Sequence, residues 1–318
     1  LCQQGRVAAI DCGTNSIRLL IADIDTERTV LTDIAREMKI VRLGEGVDRT
    51  GRLSEAALDR TIGALCEYAD LIKHAEPQAI RMVATSATRD AENSQEFVDR
   101  VKEVLGVAPE VVTGDEEARL SFTGATRELA GTALARAGAC APPYLVTDIG
   151  GGSTEFVMGD SGGVSAARSV DIGCVRMTER HLHGDPPSAA EAAAATTDID
   201  AALALVAGSV PVDNAKTLIG LAGSVTTVAG IALELESYDP ARIHHSRIPA
   251  GRVHAVTSQL LGQTRAQRAA IGVMHPGRVD VIGAGALVLD RIMTVFGFAE
   301  VLVSEHDILD GIAWSLVP

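Results

Sequence analysis

The chain has 318 residues, 47% of them hydrophobic and only 3% aromatic, with a net charge of −14 and an isoelectric point near 5.0. That length predicts about two domains, with cores of Val, Leu, Ile and Ala. A chain this acidic is not expected to bind nucleic acid, and it suits an anionic ligand only where positive groups are concentrated locally. With no apolar run of about 18 residues, no transmembrane helix and no membrane partner are expected. The N-terminus lacks the basic-then-apolar pattern of a signal peptide. The five cysteines (Cys2, Cys12, Cys66, Cys140, Cys174) are scattered and odd in number, which points to a reducing cytoplasm and buried thiols.

In chain order, Arg6 to Asp25 is predicted to form strand, turn, strand. An apolar run ends in Asp11, a turn of small residues follows (Cys12-Gly-Thr-Asn-Ser16), and a second apolar run begins. Thr29 to Arg42 continues the sheet, with Gly44, Gly46 and Gly51 marking turns. Ser54 is expected to cap a helix with an apolar stripe at Leu58, Ile62, Leu65, Ala69 and Ile72. Ala79–Ala84 predicts a buried strand ending in the polar loop Thr85-Ser-Ala-Thr-Arg89-Asp90, where doubly wound sheets place ligands. Arg89 there is either a phosphate grip or a surface arginine closing a loop. Asn93 and Glu96 predict a capping box for a helix through Leu105, closed by Gly106. A strand then ends at Thr113, and a helix opens on Asp115, Glu116 and Glu117. Acids in a first turn suit the helix dipole; three in a row exceed that need and leave one available as a general base.

Ala130–Ala141, ahead of Pro142-Pro143, predicts a hinge. Tyr144–Met158 then repeats the first pattern: an apolar strand ending in Asp148, the turn Gly150-Gly-Gly-Ser-Thr154, Glu155, and a second apolar run. Glycines let the backbone come close to a ligand, and successive N–H groups can cradle phosphate oxygens. Three glycines alone equally describe an empty hairpin. The echo of Asp11 at Asp148 is stronger, because paired phosphate loops facing each other across a cleft need one such turn in each half. No Lys or Arg lies between Pro143 and Ala167, so a phosphate here needs backbone dipoles, a metal near Asp148, or arginines from elsewhere. Asp171–Arg180 predicts a turn and helix. Thr217–Thr227 gives a third strand-to-turn, with Gly223 allowing close approach and Ser224 capping the next helix. The pairs His181/His183 and His244/His245 have no carboxylate at ligand spacing and are expected to be structural.

Six stretches together resemble the exopolyphosphatase / guanosine pentaphosphate phosphohydrolase (Ppx/GppA) family. They are Ala9–Ser16, Ala84–Asp90, Thr113–Ala118, Asp148–Glu155, Asp171–Arg176 and Leu221–Ser224. They occur in family order and span nearly the whole chain. The resemblance implies an α/β fold of the acetate kinase / sugar kinase / Hsp70 / actin type, with two similar ribonuclease H-like domains around a central cleft. The expected domains are residues 1–135 and 136–318, the last helix (about 306–318) packing back on the first. The length is similar to that of the short, two-domain form, in the style of actinobacterial members.

Carried over residue by residue, the resemblance implies that Glu117 is the catalytic base and that Asp148 and Glu155 lie at an essential divalent metal, usually Mg²⁺. Asp11, Gly13, Thr14, Asn15 and Ser16 match one phosphate loop, and Gly150, Gly151, Gly152, Ser153 and Thr154 the opposing one. Arg89 matches an arginine on phosphate, and Gly223 and Ser224 a third loop. The implied activity is hydrolysis of terminal phosphate from inorganic polyphosphate. The alternatives are 5′-phosphate hydrolysis of guanosine pentaphosphate, a non-catalytic alarmone-binding module, and a kinase of the same fold. The expected assembly is a homodimer, which would add surface for a long phosphate chain.

Overall fold

The computed structural model describes residues 4–136 and 140–317. Residues 137–139, inside the expected hinge, lie outside the described residues. The chain divides into two compact units, Leu1–Ala133 with Asp307–Pro318, and Leu134–His306.

In the first unit, β1 (Gln4–Cys12), β2 (Ser16–Asp25) and β3 (Val30–Ile40) form an antiparallel meander. β4 (Ala79–Ala84) and β5 (Glu110–Val111) add in parallel, giving the order β3-β2-β1-β4-β5. β1 is apolar on both faces because it is covered on both. Ala8 and Ile10 pack with α1 (Glu55–Ala75) and α2 (Ser94–Leu105) on one side. Val7 and Ala9 pack with the helix Ile308–Trp314 on the other. Ser54 caps α1 as expected, its hydroxyl accepting from the Ala57 N–H. Asn93 does not form the expected capping box: its amide is spent on both backbone groups of Leu53, across the unit, with a further bond to Glu96. α3 (Gly114–Thr126) carries the three acids in its first turn.

The second unit repeats the plan. β6 (Tyr144–Ile149), β7 (Thr154–Asp160) and β8 (Gly163–Val170) form a meander, and β9 (Thr217–Leu221) joins β6 in parallel. β10 (Arg247–Pro249) and β11 (Glu300–Val303) complete the order β10-β11-β9-β6-β7-β8. The run β8-β7-β6-β9-β11 therefore matches β3-β2-β1-β4-β5 in sequence and strand direction. α4 (Cys174–His181), α5 (Ala189–Ala207), α6 (Ala222–Ala232), α7 (Ala250–Gly262) and α8 (Ile282–Phe296) supply a core of Leu, Ile, Val and Ala, as the scarcity of aromatics predicts. Asp11 and Asp148 thus end corresponding strands. Among the described residues, no helix is long and apolar enough to cross a membrane.

Candidate active site

In the first unit the turn after β1 is held through its carbonyls. The Thr14 carbonyl accepts from the Gly44 N–H, and the Asn15 carbonyl accepts from Val41 and Arg42. The Gly13 N–H closes the turn on the Ser16 carbonyl at 2.9 Å. Among the described residues nothing accepts from the N–H groups of Thr14 and Asn15. The turn therefore presents donors outward, the arrangement of an anion-binding nest. The Thr14 hydroxyl bonds Ser86 at 2.9 Å, which fastens the turn to the Thr85–Asp90 segment. That segment carries Arg89, whose Nη1 donates to the Val112 carbonyl (2.9 Å) and to Glu117 Oε2 (3.1 Å). Arg89 is thus already engaged with the base candidate, and its Nε and Nη2 have no acceptor among the described residues. Glu117 is buried at 7% exposure on the first turn of α3.

Asp11 behaves differently from its neighbours. Arg18, its cross-strand partner, donates Nε and Nη2 to Asp11 Oδ2 at 3.0 and 2.6 Å. An ionised carboxylate held this way has no donor to offer a phosphate oxygen.

In the second unit the glycine turn is held by the same device. The carbonyls of Gly150, Gly151 and Gly152 accept from the N–H groups of Gly173, Cys174, Val175 and Arg176, and Arg176 Nε adds a bond to Gly152 at 2.8 Å. The turn thereby caps α4, and the N–H groups of Gly151, Gly152 and Ser153 have no acceptor among the described residues. Gly173 is required by this contact: a Cβ there would lie 2.3 Å from the Gly151 carbonyl carbon. Thr154 corrects one expectation. Its buried hydroxyl donates to the Ile172 carbonyl at 3.1 Å, so it braces the turn instead of facing a ligand. Asp148 and Glu155 are directly opposed on β6 and β7 and both buried, with Ser169 donating to Glu155 Oε1 at 2.7 Å.

The third turn needs a second correction. Ser224 does not cap α6. The helix starts directly at the end of β9, with Leu221 at the cap and Ala222 at φ 67°, so Ser224 falls inside it. Its hydroxyl instead meets the Cys174 thiol, and glycine at 285 leaves room for it. Gly223 lies under Arg278, which donates to its carbonyl at 3.2 Å. The first-unit residues Asp11–Ser16, Arg89 and Glu117 therefore form one neighbourhood, and Asp148–Glu155 with Gly223 and Ser224 form another. His181 pairs with Asp198, and His244 stacks on His245 and His306. Among the described residues no group of three or more His, Cys, Asp or Glu is arranged to hold a metal ion.

Residues 20–318 match the Ppx/GppA phosphatase family. The chain belongs to that family. It is 49% identical to exopolyphosphatase 2 of Mycobacterium tuberculosis, over 98% of each chain. It is 27% identical to the guanosine-5′-triphosphate,3′-diphosphate pyrophosphatase of Aeromonas salmonicida, over 98% of this chain and 59% of that protein. The crystal structure of an exopolyphosphatase-like protein superimposes with a TM-score of 0.92 at 40% identity, covering 99% of this chain and 98% of that one. The Aquifex aeolicus PPX-GPPA enzyme gives 0.79 at 30% identity, covering 98% and 99%.

Sequence reasoning passed over Arg18, Asp307 and Arg278, and placed Arg176 in a family stretch without giving it a role. A signal existed for Arg18, which is a lone charge in the apolar run Ile17-Arg18-Leu19-Leu20-Ile21. Arg278 sits in a stretch that gives no such sign.

Proposed function

We propose that the protein is an exopolyphosphatase that releases the terminal phosphate of inorganic polyphosphate. The observation that carries this reading is the repeated turn, one per unit, with carbonyls bonded inward and N–H groups left for an anion. Such donors recognise phosphate oxygens without any lysine, which reconciles a polyanionic substrate with an acidic chain. Full-length similarity to a named exopolyphosphatase supports the choice of polyphosphate over guanosine pentaphosphate.

In this reading Glu117 accepts a proton from the attacking water. The water oxygen bonds to the terminal phosphorus, the bridging P–O bond breaks, and the shortened chain leaves with that electron pair. Arg89 orients the Glu117 carboxylate through Nη1 and offers its other donors to the phosphoryl oxygens. The amides of the Asp11–Ser16 turn offer donors to phosphate oxygens as well, and preorganised donors of this kind are a major source of rate. Asp148 and Glu155 would hold a divalent cation, Mg²⁺ in the first place. The pair fits that ion, which takes one or two protein carboxylates and completes its shell with water and substrate phosphate oxygens. When bound, such a metal would supply positive charge against phosphate oxygens.

The test is phosphate release from long polyphosphate, short polyphosphate and guanosine pentaphosphate, side by side with Mg²⁺, for the native protein and Glu117→Gln. The expected result is fastest release from polyphosphate. The variant should lose about 10²–10⁴ in kcat with KM little changed. Faster release from guanosine pentaphosphate would overturn the substrate, and full activity of the variant would overturn the base.

A further inference from the structure

We infer that Arg18 and Asp307 form a positioning clamp that fixes the Asp11–Ser16 turn relative to the helix bearing Glu117. The inference deepens the exopolyphosphatase reading and rests on it for its catalytic readout. Arg18 gives two donors to a single oxygen of Asp11 and its third, Nη1, to Asp307 Oδ2. All three side chains are largely buried, Arg18 at 20% exposure and each carboxylate at 5%. The second oxygen of Asp307 accepts from the Leu309 N–H at 3.0 Å, so the same carboxylate caps the Ile308–Trp314 helix.

That helix meets α3 backbone against backbone. A Cβ on Gly124 would lie 1.8 Å from the Asp307 carbonyl oxygen, and one on Gly311 would lie 1.9 Å from the Leu120 carbonyl oxygen. At these two glycines the backbones touch directly, so a shift of one helix is passed to the other. Glu117 lies about two turns before Gly124 on α3. A second tie holds the helix start: Asp310 accepts from the Asp307 N–H at 2.9 Å and from Arg36 of β3 at 2.6 Å. Besides the tie through Thr14, Ser86 and Arg89, a second path from Glu117 to Asp11 therefore runs through α3, the glycine contact, Asp307 and Arg18.

Its other end is Asp11 Oδ1, which is buried and has no hydrogen-bond partner among the described residues. An unsatisfied buried acceptor is unfavourable, and a free rotor would turn to share the guanidinium between both oxygens. The Arg18 fork, itself pinned by Asp307, keeps Asp11 from doing so. Arg18 and Asp307 touch no reacting atom and act through Asp11 and the turn it begins.

Two substitutions separate this role from simple stabilisation. Asp307→Asn keeps a good helix cap, since Asn caps as well as Asp, but removes the charge that pins Arg18. Arg18→Lys keeps the charge and loses the fork. In hydrogen exchange, the segment 12–17 should open at least about tenfold more readily in both variants while 307–316 stays as in the native protein. On long polyphosphate, kcat should fall about ten- to hundredfold with KM changed less than about twofold, the cost of a small misplacement. The double variant should be no worse than the weaker single one, because both break one path. Unchanged kcat and unchanged exchange at 12–17 would overturn the clamp. So would equal loosening of both segments with a kcat loss that follows the melting temperature. If the native protein releases no phosphate from polyphosphate, the functional reading fails, and the exchange comparison still decides the clamp.

Discussion

The two units share a strand-turn-strand frame and differ in what stands opposite its aspartate. Asp11 faces Arg18 across β1 and β2, while Asp148 faces Glu155 across β6 and β7. Both turns bond their carbonyls inward and leave N–H groups without an acceptor among the described residues. The first aspartate faces an arginine, and the second faces another carboxylate at a cross-strand distance where like charges repel. In the proposed mechanism the second pair would hold a cation. The two turns are thus divided by one cross-strand residue, Arg18 in the first unit and Glu155 in the second.

Between the two aspartates, the largest effects should come from breaking the acid pair. Asp148→Asn or Glu155→Gln should reduce kcat about 10²–10³-fold, as loss of charge stabilisation at a phosphoryl group does, and should raise the Mg²⁺ concentration for half-maximal rate. In EDTA Asp148→Asn should cost less stability than loss of the first unit's aspartate, because it removes one of two facing carboxylates. The change at Asp11 should weigh on stability instead. Asp11→Ala removes one of Arg18's two buried partners and should lower stability by about 3 kcal/mol, seen as an earlier denaturant midpoint. If Asp148→Asn destabilises the metal-free protein as much as Asp11→Ala does, the two aspartates are equivalent and the division fails.

The turns can be compared sterically as well. Gly173→Ala sets a Cβ 2.3 Å from the Gly151 backbone, and Gly44→Ala sets one 2.3 Å from Thr14 Cγ2. Each should misplace its turn and cost up to about 10² in kcat. The first clash is with backbone and has no side-chain remedy. The second is with a methyl group, so Thr14→Ser combined with Gly44→Ala should recover most of the rate while keeping the hydroxyl bonded to Ser86. Failure of that rescue, measured by phosphate release, would mean that loop position in the first unit is not what Gly44 protects.

The frame itself was legible. Asp11 and Asp148, each ending an apolar run before small residues, gave the repeat, and the strands fell where the apolar runs lay. The acid-rich start of α3 was legible because three acids exceed what a helix dipole asks for. What separates the two aspartates was hidden, since it depends on register: Arg18 follows Asp11 by the same seven residues by which Glu155 follows Asp148. The positions could have been matched, but only the hairpin shows that they face each other. Thr154 and Ser224 were misjudged for a related reason. A hydroxyl in a turn motif advertises ligand binding or capping, whereas the Ile172 carbonyl and the Cys174 thiol that claim these two come from other segments. Asp307 is separated from Arg18 by most of the chain, and no local pattern joins them.

The smallest effect concerns acid stability, and it tests whether the first unit's charges are internally balanced. Burial pushes the Asp11 carboxyl up, further than Arg18 pulls it down. Burial also acts to raise Asp307, but Arg18, the Leu309 N–H and Arg36 outweigh it and hold that carboxyl below the ordinary range. The two acids on one guanidinium therefore move in opposite directions, because Asp307 has donors on both oxygens and Asp11 on one. For Asp307 the lowered folded value means stability that is present above the unfolded aspartate value of about 3.9 and lost as pH falls through the folded value. For Asp11 the raised value means stability that is present in acid and lost as pH rises through it. The melting-temperature gap between the native protein and Asp307→Asn should thus be a few degrees at pH 7 and close below the aspartate range. Against Asp11→Asn, acidification should move the native protein's relative stability the other way. Parallel gaps at every pH would mean that the Arg18 pairings do not depend on the ionisation of either acid, and the contrast between a self-neutralised first turn and an acid-paired second one would lose its electrostatic basis.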